Sequence, residues 1–514
     1  MSLFTRRQLI IGSASAAAAL GAAAAPAAAY GGGGGMGGGT SVIDPPVGAP
    51  LKRLVPLPNE TAEAGVFQVS ISAMPANINV NGTNATLLTY NGQHPGPLIR
   101  VRKGQLFRLK FTNNLPDDDQ KNMLGYPTRV TNIHTHGLHV TPGDNMNGTH
   151  GDNMMVTVMS GTTKEEVYEY DLSKHPGGNL NFYHPHIHGC VADQMWAGMS
   201  APLIVEDEVA TLQEFEEQVL VLKDIELSGS QPAPHSSRMQ YMHGKEGNTV
   251  MVNGQVNPRL TIKRGQVQRW RVVNACTARF FNLSLQGHTM YVVGTDGGLL
   301  RTPYPVTSVL LSPGERLDLL VKADRKTASY KWLSLPYSRQ GMMGSQQVTL
   351  MTLTYSGSTT PQVIPATVDP EATRVDPAKV TIAATKNITL SMGQGAGYIN
   401  GITYASHDDC FMTHSQTGTW EIWQVFNNSG MDHPFHHHTN SAQVLSISGG
   451  DAGYASLLTT TTAWKDVTIV PKWGSVRLLM PAMDYSGMAM VHCHIIEHED
   501  IGMMGIWHIG EGPM

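Results

Sequence analysis

The sequence predicts an all-β protein built from three β-sandwich domains in one chain. After residue 60 the chain consists of short alternating or β-branched runs separated by Gly, Pro, Asn and Asp, and no long amphipathic helix is evident. One pattern recurs three times at intervals of roughly 150 residues: an Asn-Gly pair, a turn, and a strand that ends in Asn. Three repeats of this length indicate three similar β-sandwiches, because this is a normal domain size for the class.

The repeat also sets the expected domain boundaries. Its copies run from Asn91 to Asn113, from Asn253 to Asn274 and, more loosely, from Asn400 to Asn427. We therefore place the three domains at residues 61–207, 208–362 and 363–514. The second connection, at 356–376, is rich in Thr, Pro and Ser, as is typical of a linker.

The N-terminal segment predicts export from the cytoplasm. Arg6 and Arg7 precede an Ala-rich apolar run, and three alanines at 27–29 provide a small-residue cleavage site. Residues 1–29 therefore resemble a twin-arginine signal peptide, a route that carries folded proteins. We expect the mature protein in the periplasm, or outside the cell if the source lacks an outer membrane.

Two further features of composition bear on partners. Residues 30–60 are rich in Gly and then in Pro, which predicts a flexible tether without a fold of its own. No later stretch approaches about 18 apolar residues, so we expect no membrane association after the signal is cleaved. The formal net charge of -5 leaves no basic footprint, which argues against nucleic acid as a partner.

Four cysteines in 514 residues do not make a disulfide scaffold. If Cys493 binds a metal, then Cys190, Cys276 and Cys410 allow at most one intramolecular bridge. The sequence leaves open which pair, if any, would form it.

The densest group of metal-ligating residue types lies at 492–504, where three His, one Cys and two Met occur together. Soft sulfur and imidazole in this combination suit copper. If this segment begins as a strand, side chains alternate between its faces, so His492 and His494 point one way and Cys493 the other. Cys493, His498 and Met503 would then supply three of the four ligands of a blue-copper electron-transfer site.

Three other histidine motifs have the same two-residue spacing, which places both imidazoles of each motif on one face of a strand. Together with the C-terminal pair they supply eight imidazoles, enough to hold three copper ions. The eight are His134, His136, His184, His186, His436, His438, His492 and His494. His433 precedes a proline and is aimed elsewhere, so it would complete the blue-copper site.

The order of these four motifs resembles that of the multicopper oxidases, the laccase-like family of three cupredoxin domains, over essentially the whole chain after the tether. The resemblance implies cupredoxin-like Greek-key β-sandwiches and four copper ions per chain, one of type 1, one of type 2 and two of type 3. Carried over by position, His134 and His436 would bind the type 2 copper. The type 3 pair would be bound by His136, His184, His186, His438, His492 and His494.

The resemblance also implies the reaction, in which four one-electron oxidations of a reducing substrate are coupled to reduction of dioxygen to water. Cys493 would carry electrons towards the histidines. Proton delivery needs acids near the cluster, and the family has one after the first histidine motif and one after the last. Glu499 fits the last position directly, and for the first we favour Asp152 over Asp144.

An axial Met503 should lower the potential of the blue site, because an added donor stabilises oxidised copper. We therefore expect a copper-dependent oxidoreductase of the laccase type that acts as a monomer on easily oxidised phenols or aromatic amines. The alternatives are a periplasmic cuprous oxidase for copper tolerance and a non-catalytic copper-binding protein. The methionine-rich insertion of copper-efflux oxidases is not evident, which weakens the cuprous-oxidase analogy.

Several soft or basic residues remain without an assigned role. We expect His437 to face away from the copper cluster and His188 to be surplus to it. Two groups of residues are candidate soft-metal patches, although methionines are more often core filler or adaptable surface. These groups are Met154, Met155 and Met159 in the first domain, and His235, Met239, Met242 and His243 in the second.

Overall fold

The computed structural model describes residues 41–339 and 346–511, and in these residues six larger β-sheets pair into three β-sandwiches. The prediction of an all-β fold with three sandwiches is confirmed. The described α-helices are all short, the longest being nine residues. None of them has the length and apolar character needed to cross a membrane. The predicted signal peptide and the first part of the predicted tether, residues 30–40, lie outside the described residues.

Residues 41–60 correct the prediction of a tether without a fold. Strand β1 (Ser41–Ile43) pairs in parallel with residues 346–348 of the second sandwich. Further along, the N–H of Leu51 donates to the carbonyl of Arg259 at 2.9 Å, and the N–H of Leu57 donates to the carbonyl of Leu98 at the same distance. Both leucines pack against the cores of the sandwiches. The segment is ordered because it satisfies backbone groups that sheet edges leave unpaired.

Domain 1 packs two four-stranded sheets face to face. Its elements are β2 (Val66–Val80), β3 (Thr83–Tyr90), β4 (Ile99–Arg102), β5 (Leu106–Asn113), β6 (His134–His136), β7 (Glu166–Asp171), β8 (Asn179–His184), α1 (Val191–Trp196) and β9 (Ala201–Glu206). The sheets have the orders β3-β2-β5-β7 and β4-β9-β8-β6. Burial alternates along β5, as the period-two pattern predicts, and Phe107 and Leu109 meet Val101 and Val205 of the other sheet in the core.

Domain 2 has two six-stranded sheets, and β1 contributes to the first of them. Its elements are α2 (Ala210–Gln213), β10 (Glu216–Ile225), β11 (Leu227–Ser228), β12 (Gln231–Pro232), α3 (Arg238–His243), β13 (Thr249–Val252), β14 (Arg259–Arg264), β15 (Val267–Asn274), β16 (Phe281–Leu285), β17 (Met290–Thr295), β18 (Gly298–Val306), β19 (Val309–Leu311), β20 (Arg316–Lys322), β21 (Ser329–Leu335) and β22 (Gln346–Ser358). One sheet has the order β1-β22-β21-β16-β19, with β14 also paired to β22, and the other has the order β13-β10-β15-β20-β17-β18.

Domain 3 packs two five-stranded sheets. After a 3-10 helix at Pro377–Lys379, its elements are β23 (Ile382–Gly393), β24 (Ala396–Ile399), β25 (Phe411–Gln416), β26 (Thr419–Asn427), β27 (His433–His437), β28 (Gln443–Ser448), α4 (Ala452–Thr460), β29 (Val467–Val470), β30 (Ser475–Ala482), β31 (Gly487–Cys493), α5 (Ile496–Asp500) and β32 (Met504–Gly510). The sheet orders are β24-β23-β26-β30-β28 and β25-β32-β31-β27-β29. One continuous apolar cluster joins the cores of domains 2 and 3.

The Asn-Gly pair of each repeat forms the same left-handed hairpin turn. The φ angles of Asn91, Asn253 and Asn400 are 50°, 52° and 51°, and the glycine that follows each of them also has a positive φ. Consecutive positive φ values are typical of a type I′ turn, which is why Asn-Gly recurs here. Each Asn side chain also accepts a backbone N–H from the neighbouring strand; the three donors are Ser72, Val221 and Thr389.

The Asn that closes each repeat fastens the loop that follows it. Its side-chain amide donates to two backbone carbonyls in every domain, at distances between 2.7 and 3.0 Å from Asn113, Asn274 and Asn427. Two of the accepting carbonyls, those of Arg129 and Met431, lie shortly before His134 and His433. The repeat therefore fixes the start of two histidine motifs.

A buried ionic network joins all three domains. Arg316 of β20, 1% exposed, donates to the carbonyl of Leu180 in domain 1 at 2.9 Å and to the carboxylate of Asp466 in domain 3 at 2.6 Å. Lys465 extends the network, with its Nζ lying 2.8 Å from Asp296 and 2.6 Å from Glu315. Buried charges are tolerated only when each one is paired, so this network specifies how the domains meet.

We expect the substitution Arg316→Leu to lower the free energy of unfolding by about 3–5 kcal/mol, because it leaves the buried carboxylate of Asp466 without its cation. Urea unfolding followed by tryptophan fluorescence measures this change. The matched control is Arg325→Leu, since Arg325 is 46% exposed in its side chain and pairs with the equally exposed Asp324. That loss should stay below about 1 kcal/mol. Equal losses in the two variants would contradict the structural role of the network.

Candidate metal centres

Two pairs of neighbouring strands bring histidines together at the junction of domains 1 and 3. In domain 1, β6 and β8 are antiparallel and place His134 opposite His184. In domain 3, β27 and β31 are antiparallel and place His436 opposite His492. Residues directly opposite in an antiparallel pair have Cβ atoms about 4.5–5.5 Å apart, so each strand pair presents its imidazoles side by side.

The structure brings all eight predicted cluster histidines into one buried group, each at most 3% exposed. Three subsets have one ring nitrogen per residue within 4.8 Å of one another. The subsets are His134 with His136 and His436, His136 with His184 and His494, and His186 with His438 and His492. Each subset combines side chains from domains 1 and 3, so neither domain can form the cluster alone.

Hydrogen bonds at Nδ1 decide which nitrogen faces the centre of the group. The Nδ1–H groups of His134 and His438 donate to the two oxygens of Asp152 at 2.7 and 3.0 Å. The Nδ1–H of His436 donates to the carbonyl of Asp466 at 2.9 Å, and that of His492 donates to the carbonyl of Cys493 at 3.1 Å. In each case the Nε2 lone pair is left for a metal ion.

The inward nitrogens are suited to a cation. The Nε2 atoms of His186 and His438 each lie 3.3 Å from Nε2 of His492, and three lone pairs cannot satisfy one another. The Nε2 atoms of His134, His184 and His436 are buried without a hydrogen-bond partner. Such atoms cost free energy unless something binds them. The residues present therefore fit a group of metal ions.

Burial also keeps several of these imidazoles in the metal-binding form. It lowers the pKa of His184 to about 4, and it lowers the pKa values of His134 and His436 well below the usual range, with neighbouring histidines adding to the effect. A neutral imidazole has a lone pair to offer, whereas a protonated one does not.

A second group forms on the other face of β31. The Sγ atom of Cys493 lies 3.5 Å from Nδ1 of His433 and 3.5 Å from Nδ1 of His498, and the two Nδ1 atoms are 3.2 Å apart. All three side chains are fully buried. Burial raises the pKa of the Cys493 thiol, so the thiolate form needs a nearby cation.

Met503 lies between α5 and β32, beside this second group. The N–H of Cys493 donates to the carbonyl of Met503 at 3.0 Å, and the N–H of Met503 donates to the carbonyl of His498 at 2.8 Å. Its side chain is fully buried. The four residues predicted for a blue-copper site thus lie together.

The two predicted acids occupy different positions around the cluster. Asp152, 3% exposed, bridges His134 and His438, whereas the side chain of Asp144 is 56% exposed and lies beside His150 instead. Glu499 is fully buried, with one carboxylate oxygen 3.0 Å from Nδ1 of His492. The structure therefore places Asp152 and Glu499 against the histidines and Asp144 away from them.

Sequence reasoning missed three groups that orient the histidines. Asp466 lies 3.3 Å from Nε2 of His136 and is itself held by Arg316. Ser429 lies 2.8 Å from Nε2 of His433 through its hydroxyl. The backbone carbonyl of Met242 in α3 accepts a hydrogen bond from Nε2 of His498 at 3.3 Å. Gly137, after the first histidine motif, was the one local sign in the sequence that another group approaches the motif closely. A Cβ there would lie 2.3 Å from the guanidinium of Arg316.

The remaining histidines lie outside the metal groups. His188 packs against the rings of Tyr126 and Tyr404, and His437 is buried with its Nδ1–H donated to the carbonyl of Asn440 at 2.7 Å. The position of His235 corrects the prediction of a soft-metal patch in domain 2. This histidine is buried between two carboxylates, those of Asp193 at 3.0 Å and Glu497 at 3.1 Å, and does not join the methionines of α3.

No disulfide forms among the described residues, where all four cysteines are free. Cys190, Cys276 and Cys493 are buried, and Cys410 is half-buried. The possible bridge that the sequence left open is therefore not made, and Cys493 is available to a metal.

Comparison with known proteins agrees with this geometry. Three sequence models of the multicopper oxidase family match residues 73–210, 214–358 and 374–512. The multicopper oxidase mco of Staphylococcus aureus is 26% identical over 432 residues, covering 82% of this chain and 84% of the relative. The laccase of Bacillus subtilis is 26% identical, covering 87% of this chain and 94% of the relative.

Solved structures agree as well. The multicopper oxidase of Campylobacter jejuni, described as a metallo-oxidase, is 26% identical and superimposes with a TM-score of 0.75, covering 92% of this chain and 98% of that one. The chain belongs to the multicopper oxidase family, whose laccase-like members are copper-dependent oxidoreductases of three cupredoxin-like domains that pass electrons from reduced organic or metal donors to dioxygen.

Proposed function

We propose that this laccase-like enzyme oxidises phenols or aromatic amines one electron at a time and reduces dioxygen to water, with about four copper ions per chain. The observation that carries the proposal is the position of Cys493 on β31. Its sulfur belongs to one buried ligand group, while its neighbours His492 and His494 belong to the other. Electron uptake and oxygen reduction are thus joined by one strand.

The ligand groups divide among the three copper types as follows. His433, Cys493, His498 and Met503 would hold the type 1 copper. His134 and His436 would hold the type 2 copper. The type 3 pair would be held by His136, His184 and His494 on one side and His186, His438 and His492 on the other. When bound, copper supplies one-electron transfer at the first site and four-electron reduction of dioxygen at the second.

Cys493 links the two sites through the chain itself. Backbone bonds connect its thiolate to both flanking imidazoles, and the Nδ1–H of His492 donates to the carbonyl of Cys493 at 3.1 Å. This hydrogen bond provides a shorter route from the cysteine residue to one ring. It supports electron transfer between the cysteine site and the histidine cluster.

Donors deliver electrons through covering residues rather than to a bare imidazole edge. The rings of His433 and His498 are both fully buried, so a donor cannot touch either imidazole directly. Helix α3 lies over His498, where Met242 accepts the hydrogen bond of its Nε2–H. Met239 on the same helix is 60% exposed. For a donor that docks on α3, the shortest route to the buried His498 ring therefore passes through backbone atoms of this helix.

The methionines of α3 support cuprous ion as an alternative electron donor. Thioethers are soft ligands that select cuprous ion, and Met239 and Met242 are both on the helix that covers His498. This observation favours testing a cuprous oxidase activity beside the oxidation of phenols.

Glu499 is the proton donor that the geometry favours. Its carboxylate is fully buried within 3.0 Å of the His492 ring and 3.6 Å of the His186 ring. One oxygen faces His492 and the other faces His186, so the carboxylate lies against two ligands of the cluster, where it can pass protons to reacting oxygen. Asp152 differs, because both of its oxygens are engaged by histidines. We assign it a positioning role, in addition to the proton delivery expected from the sequence.

We further propose export by the twin-arginine route, supported by Arg6 and Arg7 before the apolar run, and action in the periplasm or outside the cell. A monomer is sufficient, because one chain supplies every residue of both ligand groups.

The central test is oxygen consumption by copper-loaded mature protein that is offered a methoxyphenol and cuprous ion in parallel. We expect oxygen uptake without peroxide, about four copper ions per chain and a blue thiolate band. The variant Cys493→Ser should lose the band and the uptake, whereas Cys410→Ser, a change outside both ligand groups, should keep them. A protein that binds copper but consumes no oxygen with either donor would overturn the catalytic proposal.

The substitution Met503→Leu should raise the reduction potential of the type 1 copper, because a thioether from Met503 would stabilise the oxidised state. A redox titration of the blue band measures the shift. The matched control is Met504→Leu, since Met504 packs with Met154 and Met490 in a different cluster. Equal potentials in wild type and Met503→Leu would show that Met503 is not a ligand.

The substitution Asp152→Asn should lower the kcat of oxygen reduction by about 10–100-fold. An asparagine side chain presents an acceptor oxygen to one histidine and a donor NH2 to the other. One imidazole must then move its proton to Nε2, where the metal-binding lone pair should be. Oxygen uptake at saturating donor, measured together with copper content, reports the loss.

Two further variants separate positioning from general damage. Asp152→Glu restores an acceptor for both histidines and should recover part of the activity. Asp144→Asn, at the exposed alternative acid, should keep the wild-type kcat. An unchanged kcat in Asp152→Asn would be evidence against this role.

A further inference from the structure

A cleft of about 180 Å³ between domains 1 and 3 is lined by four methionines. Met155 and Met488 stand at its mouth, where they are 40% and 38% exposed. Met154 and Met490 are buried, so they form its inner part. The remaining lining residues are Gly143, Asp144 and Asn153. Met159, which the sequence grouped with Met154 and Met155, lies outside this lining.

One wall of the cleft is the strand that serves the copper sites. Met488 and Met490 share the face of β31 that carries His492, because side chains alternate along a strand. Ala489, Val491 and Cys493 occupy the opposite face, in the apolar core. Met490 precedes His492 by two residues, a rise of about 6.8 Å along the strand. The cleft therefore opens beside the histidine cluster, on the face away from the blue-copper group.

The other wall is a loop of domain 1 that is fixed from both sides. The N–H of Gly151 donates to the carbonyl of Gly143 at 2.7 Å, and the N–H of Asp152 donates to the carbonyl of Thr141 at 2.8 Å. The carbonyl of Pro142 packs so closely on Gly487 that a Cβ there would lie 2.0 Å away. The cleft is thus preformed, and Met154 and Met155 lie two and three residues after Asp152, which binds His134 and His438 in the cluster.

The chemistry of the lining is selective. Thioethers are neutral, soft donors that suit monovalent copper, whereas divalent metals prefer imidazole or carboxylate ligands. The one carboxylate, Asp144, already accepts hydrogen bonds from His150 and Asn153 at 2.7 Å each. It adds negative charge to the rim, which attracts a cation, and the methionines supply the soft ligands. Methionine side chains are unbranched and flexible, so several can converge on one ion.

We propose that this cleft binds a cuprous ion through the thioethers of Met155 and Met488 at its mouth and Met490 at its floor. The site is separate from the region over His498 where electron donors act. It lies between solvent and the histidine cluster, on a strand whose next inward-facing side chain is the ligand His492. This position suits copper on its way into the cluster.

Silver(I) provides a redox-inert probe, since it has the same charge and the same preference for soft ligands as cuprous ion. We would titrate silver(I) into the copper-loaded protein in chloride-free buffer and compare the wild type with a Met155→Leu/Met488→Leu double variant. Leucine keeps the volume and apolar character of each side chain. We expect the dissociation constant for silver to rise by about 10–100-fold or more when the thioethers are removed.

The matched control is Met159→Leu, which removes a thioether that is 56% exposed but outside the cleft. It should bind silver as the wild type does. An unchanged blue band in every sample shows that the variants are folded and that silver has not displaced copper. Because silver binding needs neither donor nor oxygen, its failure would leave the oxygen-uptake test of the proposed function unaffected.

Anomalous scattering from silver-soaked crystals locates the ion directly. A peak between Met155 and Met488 is the expected result. Wild-type affinity in the double variant, or silver peaks confined to other methionines such as Met239 on α3, would overturn the proposal and leave the cleft as ordinary apolar packing.

Discussion

The side chains of β31 alternate between two environments, and both candidate metal centres depend on this alternation. Cys493 enters the apolar core of domain 3, where His433 and His498 meet it. His492 and His494 point the other way, towards domain 1. Because a one-residue slip would exchange the two faces, the register of β31 with β27 and β32 has to be strictly held. The connection between the sites is thus a property of the strand rather than of a separate device.

Eight imidazoles buried at a domain junction leave ring nitrogens without a hydrogen-bond partner, and bound cations would satisfy their lone pairs. The inward nitrogens of the imidazoles have no protein donor, and most of the outward nitrogens are held by Asp152, by Asp466 or by backbone carbonyls. Domain 2 supplies none of the ligands, but two of its elements contact groups next to them. Arg316 binds the carboxylate of Asp466, and α3 covers the ring of His498. The contribution of domain 2 is to hold domains 1 and 3 in contact and to keep both sites dry.

The threefold repeat predicted the three sandwiches, and period-two alternation predicted the pairing of the histidines, because both features depend on local pattern and spacing. Such patterns did not reveal Asp466, whose position depends on Arg316 from another domain, or the carbonyl of Met242, since every residue has a carbonyl. Ser429 lies four residues before His433 with no motif to mark it. The ordering of residues 41–60 was missed for a related reason: it depends on sheet edges far away in the chain.

The three repeats show how one scaffold can carry a copper site or none. Each closing Asn fastens the following loop in the same way, and in domains 1 and 3 that loop leads to histidines. In domain 2 the corresponding carbonyl belongs to Arg279, whose guanidinium pairs with the buried Asp224 at 2.9 Å. The hairpin and the closing Asn therefore occur in a sandwich that supplies no histidine to either ligand group. Metal chemistry is added by a few side chains at the loop and strand that follow, and domain 2 uses the same position for an ion pair that stabilises the fold.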